Sequence, residues 1–473
     1  MSRLAIEDTS RSQAVSFPAL ACGSVLLAAG LLGGGRGNLG DTLVQLMAIG
    51  LLGLWLQIRR FPLPGVVAPP PWVEALPLLA IAVPLLQLLP LPTAWAILAP
   101  ARAELNGQLA AVGVALPMRW SLNPWASARA LQGLLPAIGI FLVTLHLPVR
   151  AQRHLLAVLL VLAASNVLLG MAQLAEGPAS GLRWHWPTNV ASAVGFFANR
   201  NHQANLLVMC LPLVLAWAAW LVADRLAGHP RSLAWAGLAI GLTLLLILGI
   251  ALSNSRAGLL LGMLAVLAVT PMLLGLRRQQ GVRRVLAVVV LIAAVLSVQF
   301  ALVGIMQRLE ADPLEDRRWD HARVTSEAAQ AHAPWGSGLG TFRQAHVAFE
   351  REPRDVVVNH AHNDYLELWL EGGWLALLAL LAFAAAWAWA SWQAWRRRGE
   401  LRRDERAHYL MVRACWIAAS LALLHEALDY PLRTTAGSSA FALLLAVVFS
   451  GLQAQRDYAR ESRRLAGSPT DVR

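Results

Sequence analysis

The stretch NHAHNDYLELWLEGG, from Asn359 to Gly373, places two histidines, an asparagine and an aspartate directly ahead of a segment apolar enough to enter a membrane. Ionisable groups at such a boundary are costly and mark functional positions. A neutral histidine there can take a proton as a general base. Asp364 and Glu367, three residues apart before an apolar run, fit a capping-box helix start, so a helix should begin within a residue or two of Asn363. His360 and His362 then precede a helix N-terminus, whose positive dipole end disfavours imidazolium. Nearby arginines act in the same direction. Glu367 and Glu371 are four apart, share a helix face, and can pair with arginines or with a histidine.

Other polar clusters lie at the same level of the chain. GFFANRNHQANLL carries Asn199, Arg200, Asn201 and His202; a cap followed by a snorkelling arginine would also explain it. SNSRAG carries Ser253, Ser255 and Arg256 in a turn so short that its flanking spans must form an antiparallel hairpin. Ser255 can simply cap the second of them. Arg256 sits at a membrane edge where topology does not call for an arginine. A long polar segment holds Arg308, Arg317, Arg318, Asp320, His321, Arg323, Arg343, Arg351 and Arg354, and HEALDYPLRTT adds His425, Glu426, Asp429 and Arg433. Arginines beside a neutral histidine suit an anionic, membrane-held substrate, because guanidinium is the preferred bidentate partner of phosphate. Such arginines would stabilise a departing diphosphate while the histidine activates a hydroxyl. His-x-His-x-Asp also has the donor types of a metal site, but no cysteine or third clustered histidine completes it and the arginines repel a cation, so no metal is expected. WGSGLGTF, Trp335 to Phe342, reads as a turn and lacks the βαβ setting of a dinucleotide site.

These clusters need elements to hold them, and composition says which. Of 473 residues, 57% are hydrophobic and 14% charged, against about a quarter charged in soluble domains; mean hydropathy is +0.54. Apolar runs of span length recur from end to end. They predict an all-α polytopic membrane protein, read as one integral domain over 1–473, with about twelve spans: 16–34, 42–58, 73–90, 130–147, 154–175, 203–223, 233–252, 257–275, 285–305, 364–392, 409–427 and 435–452. All 39 basic residues are arginine. With the N-terminus in the cytoplasm, 24 fall on the inner side and 15 on the outer, seven of the latter in one long loop. The formal charge of +12 is therefore a topology signal, with no nucleic-acid partner implied. Both termini are expected in the cytoplasm, the first helix is expected to be retained, and residues 306–363 should form a long periplasmic loop between spans nine and ten. Cys22, Cys210 and Cys415 all fall inside spans and read as packing residues. A transporter would place polar groups near the bilayer midplane and show repeated halves; here they gather at the outer surface.

Four of these stretches, FFANRNHQANLL, SNSRAG, a long outer loop ending in HAPWGSGLGTF, and NHAHNDYLELWLEGG, occur in that order over roughly 190–380 and resemble the O-antigen ligase and O-antigen polymerase superfamily. In that family's pattern His362, Asn363 and Gly373 fit, and Ala376 departs. The resemblance implies a metal-free, cofactor-free inverting transfer of a glycan from undecaprenyl diphosphate to an acceptor hydroxyl, at the periplasmic face of the inner membrane. It implies His362 as base, with His360 assisting or merely packing. Arg256 matches the membrane-edge arginine, Arg200 is a further diphosphate candidate, and Arg317 or Arg323 would be the loop arginine. Asn363, Asp364, Glu367 and Gly373 would support them. The acceptor would be lipid A core, for a ligase, or a growing polysaccharide, for a polymerase.

Overall fold

In the computed structural model the residues described are 2–35, 39–64, 66–114, 119–185, 189–226, 232–274, 291, 317–350, 357–396 and 403–466. They form helices α1 (Ser2–Leu32), α2 (Leu39–Arg60), α3 (Pro71–Glu74), α4 (Leu76–Gln87), α5 (Thr93–Ala96), α6 (Pro100–Ala111), α7 (Pro124–Leu145), α8 (Val149–Glu176), α9 (Arg200–Leu226), α10 (Ser232–Leu252) and α11 (Arg256–Leu274). They continue with α12 (Arg317–His332), α13 (Phe342–Val347), α14 (Asp364–Trp395), α15 (Arg403–His425), a 3-10 turn at Pro431–Arg433, and α16 (Thr435–Ala466).

Eight of the described helices are long and apolar enough to cross a membrane, and Ser16–Leu32, Pro71–Gln87 and Arg256–Thr270 are shorter apolar helices. The chain is an all-α, multi-pass membrane protein. Eleven of the twelve expected spans coincide with these helices; the ninth, 285–305, lies outside the described residues except for position 291. Span three departs from expectation. It breaks at Ala75 into α3 and α4, because Pro77 sits in the first turn of α4 and cannot donate the backbone hydrogen bond that would continue α3. Span four starts earlier than expected, at Pro124, where Asn123 caps it by accepting from the Ala126 N–H at 3.2 Å.

Helix α9 lies at the centre, packed by α10, α11 and α15. It is apolar around its whole circumference, as an enclosed helix must be; Leu206, Leu207, Val208, Met209, Cys210 and Leu211 are all buried. The three cysteines are buried and unpaired. The alternation of helix direction brings the N-terminal ends of α2, α7, α9, α11, α14 and α16 to one end of the bundle. Links such as Asp41 to Thr435 and Asn201 to Asp429 join them there. At the other end Arg59 pairs with Glu74, and Arg413 donates to the Ala394 carbonyl.

Candidate functional site

Helix α14 starts at Asp364, as the sequence predicts, but not by the predicted device. Asn363 is the cap, its Oδ1 accepting from the Leu366 N–H at 3.2 Å. The Asp364–Glu367 box does not form, because both carboxylates turn to an arginine from the far end of the sequence. Arg433 donates to Asp364 through Nε, and its Nη1 lies 2.8 Å from Glu371 Oε2 and 2.9 Å from Glu367 Oε1. Acids at 364, 367 and 371 sit on one helix face and repel each other when buried; the planar guanidinium fork compensates all three. Burial alone would lower the Arg433 pKa, but Asp364, Glu367 and Glu371 push it well above its usual value.

The two histidines separate at this cluster. His360 is buried, with Nδ1 2.7 Å from Glu367 Oε1 and its ring 3.9 Å from that of Tyr430. The Ala361 N–H fixes the other Glu367 oxygen at 2.9 Å. His362 is one-third exposed and has a positive φ of 52°. That left-handed conformation costs a non-glycine residue about 1–2 kcal/mol, and such residues concentrate at functional sites. It turns the ring away from His360 and onto Asp429, with Nδ1 3.2 Å from Oδ1. Nε2 has no partner among the described residues.

Asp429 follows α15 and is fully buried. Burial alone would raise its pKa. Burial is the largest single effect, but the His362 hydrogen bond together with the nearby His202, His362 and His425 outweighs it and holds the carboxyl well below the usual range. Oδ1 also accepts from the Tyr430 N–H at 3.0 Å, and Oδ2 from the Asn201 side chain. An ionised carboxylate can only accept, so the proton between the pair belongs to His362 Nδ1, and in the neutral ring the lone pair is on Nε2. Asn201 is held in turn by Ser255, whose hydroxyl donates to Asn201 Oδ1 at 2.8 Å while accepting from the Gly258 N–H at 3.1 Å as the cap of α11. Ser255 is thus both a cap and a link in the chain Ser255–Asn201–Asp429–His362.

Arg200 and Arg256 open α9 and α11 beside Asn201 and Ser255, so the structure brings both helix starts to the histidine. Arg323 goes elsewhere. It is exposed on α12, pairing with Asp320 at 2.5 Å and Glu327 at 2.9 Å, and it makes no contact with the histidine cluster among the described residues. Arg317 begins the same helix, and its side chain lies outside the described residues, as do Arg308, Arg351 and Arg354.

The glycines of WGSGLGTF have a mechanical task. Gly373 takes φ 60°, ψ −153° and breaks α14 internally. The carbonyls freed by the break accept from the Ser337 and Gly338 N–H groups at 2.9 and 2.8 Å, and the Trp374 N–H donates to the Pro334 carbonyl at 2.9 Å. A Cβ on Gly373 would meet Pro334 O at 2.2 Å, and one on Gly336 would meet Glu371 O at 2.4 Å. Gly373→Ala should therefore unfold at a measurably lower temperature in detergent, by at least the roughly 1–3 kcal/mol of a glycine-only conformation, and an unchanged midpoint would show that the turn gives way freely.

Two residues of this framework gave no signal in the sequence. Gln87 donates to the Glu371 carbonyl and accepts from the Leu339 N–H, both at 2.8 Å. Arg102, 1% exposed, donates to the carbonyls of Arg119, Trp120 and Gly336; burial pulls its pKa down to about 10, so it stays charged. Their partners are distant backbone N–H and carbonyl groups, which no local pattern announces. No cluster of three or more histidine, cysteine, aspartate or glutamate side chains placed to hold a metal occurs among the described residues.

No curated protein matches the chain. Residues 241–381, which carry Arg256, the two histidines and Gly373 but stop short of Asp429 and Arg433, match the family model described as O-antigen ligase, and this match supports a membrane glycan enzyme of the O-antigen ligase and polymerase type.

Proposed function

We propose that the chain transfers a glycan from an undecaprenyl-diphosphate carrier to an acceptor hydroxyl at the periplasmic face, with His362 as general base. The observation that carries this reading is the His362–Asp429 pair: a buried, ionised carboxylate on Nδ1 leaves the Nε2 lone pair facing a partly exposed surface. In the step, Nε2 takes the acceptor O–H proton and the oxygen forms a bond to the anomeric carbon. The carbon–oxygen bond to the carrier breaks on the opposite face, and its electron pair leaves on the diphosphate. The configuration inverts, and no metal is called for.

The starts of α9, α11 and α14 converge on this spot, and helix N-termini favour bound anions. Arg200 and Arg256 add guanidinium charge at the first two. The role of His360 in this reading is positioning: it is buried between Glu367 and Tyr430, and the Tyr430 ring also lies 5.4 Å from that of His362. Asn363, Asp364, Glu367 and Gly373 hold the histidine segment on α14.

The test is transfer by the purified chain in proteoliposomes, with a lipid-diphosphate glycan donor, an acceptor and a chelator. Product should form under chelation. Arg256→Ala should raise the donor KM or lower kcat/KM by at least roughly tenfold, the scale of one charge-assisted hydrogen bond. Unchanged donor kinetics would reduce Arg256 to a structural residue, and loss of activity restored by a divalent ion would overturn the metal-free step.

A further inference from the structure

The connection between α4 and α7 is not built like a water-facing loop. Between Leu88 and Val114 the charged residues are Arg102 and Glu104 alone, and Arg102 is turned inward, clasping the carbonyls of Arg119, Trp120 and Gly336. One side of the segment is buried through Leu91, Ala96 and Ala99. The other side is apolar and exposed at Leu89, Trp95, Ile97, Leu98 and Val112, with Trp95 58% and Val112 71% exposed. Leu105 of α6 and Val112 at its end stand two turns apart and share one face. Glu104 and Gln108 share another, joined by a hydrogen bond of 3.1 Å. Contiguous exposed apolar surface marks contact with a membrane or with another protein.

Helix length says which. Glu74, 2.8 Å from His146 and 3.4 Å from Arg59, marks one membrane surface. From Glu74 to Gln87 the chain climbs by at most roughly 20 Å, short of a hydrocarbon core of about 30 Å. Helix α4 therefore ends below the opposite surface, and the segment after it still has bilayer beside it. Its backbone suits that depth, where water is scarce. Pro90, Pro92 and Pro100 have no N–H to satisfy. The N–H groups of Leu88, Leu89 and the run from Trp95 to Ala99 all reach carbonyls of α4 or of the segment itself. Trp335 Nε1 donates to the Trp95 carbonyl at 2.7 Å, and the Trp374 N–H donates to the carbonyl of Pro334 beside it. The exposed indoles of Trp95 and Trp374 thus gather at one level, as in the aromatic belt of a membrane interface.

We infer that residues 88–114 form a shelf immersed in the lipid headgroup boundary at the histidine end of the bundle, with Leu98, Leu105 and Val112 among the lipids and Glu104 and Gln108 toward water. The partner of the apolar face is the bilayer, because that face runs on from Leu78 and Leu85, exposed leucines of the membrane-embedded α4, through Leu89. Binding of this kind grows with the apolar area buried. Arg102 on the Gly336 carbonyl and Trp335 on the Trp95 carbonyl clasp the shelf to the turn that packs at Gly373. The inference rests on the multi-pass fold and is independent of the reaction proposed above.

Spin-label collision rates read the immersion directly. Leu98→Cys, Glu104→Cys, Gln108→Cys and Val112→Cys, each made singly in the full chain, carry a nitroxide in phosphatidylcholine nanodiscs. Cys22, Cys210 and Cys415 are buried, and the parent chain taken through the same labelling measures whatever they take up. Oxygen, which concentrates in lipid, should relax the labels at 98 and 112 more than a water-soluble nickel chelate does, and the order should reverse at 104 and 108. Nickel contact at 98 and 112 equal to that at 104 and 108 would overturn the inference. Shielding of 98 and 112 from both reagents would overturn it too, with spin–spin broadening then assigning the face to a second copy of the chain and its absence to another part of the same chain. A label-free reading comes from brominated phosphatidylcholine, which should quench more tryptophan emission from the parent than from Trp95→Phe; an equal loss would count against the shelf in the same way.

Discussion

His362→Ala should lower glycan transfer by about 10²–10⁴-fold, the usual contribution of a positioned general base, while leaving membrane insertion intact. Asp429→Asn should cost nearly as much, for a different reason. The asparagine side chain can still face Asn201 and His362, but it is neutral and can turn its amide N–H groups toward the ring. It then no longer obliges Nδ1 to be the donor, and the population with a free lone pair on Nε2 falls. The two residues act as one unit, so the double variant should be little worse than either alone. Initial rates of product formation in proteoliposomes, measured for the four proteins of this cycle, check the argument. Independent, multiplying effects would mean that Asp429 supports the fold and not the histidine, and normal transfer by His362→Ala would remove the base altogether.

The second large effect is on stability. Arg433→Met should destabilise the chain by about 3–5 kcal/mol, the usual result of removing one partner from a buried ion cluster. Three acids lose their compensation together: Asp364, Glu367 and Glu371, the last two fully buried. Adding Glu371→Gln to Arg433→Met removes one of the stranded charges and should recover part of the loss. Thermal unfolding in detergent measures both. A midpoint for Arg433→Met within a degree or two of the parent, or no recovery in the double variant, would show that water or lipid headgroups compensate the acids without the arginine. The effect reaches the site as well, since Glu367 anchors His360 and the Ala361 N–H.

Much of this architecture was legible in the residue order. Apolar runs of span length can satisfy their backbone groups inside a bilayer only as helices, so the helical, multi-pass fold follows from hydropathy. Spans two and six read correctly because their apolar stretches are long and uninterrupted, whereas the break of span ten at Gly373 went unread. Span three misled, since hydropathy does not register Pro77 as a break. NHAHNDYLELWLEGG was visible as a helix start because asparagine, aspartate and glutamate cluster there directly ahead of a long apolar run.

The sequence by itself thus determined the helices, the end of the bundle where polar groups gather, and the stretch that holds the histidines. The tertiary structure alone decided which partners they have. His360 and His362 are two residues apart and look equivalent in order, yet a left-handed backbone at His362 sends one ring to Glu367 and the other to Asp429. Asp429 and Arg433 stand more than sixty residues further along, and Asn201 and Ser255 come from two other helices. Local spacing reports only on neighbours within a turn or two of the same helix. Charge compensation in a buried site depends on distance in space, and that is fixed by how the helices pack.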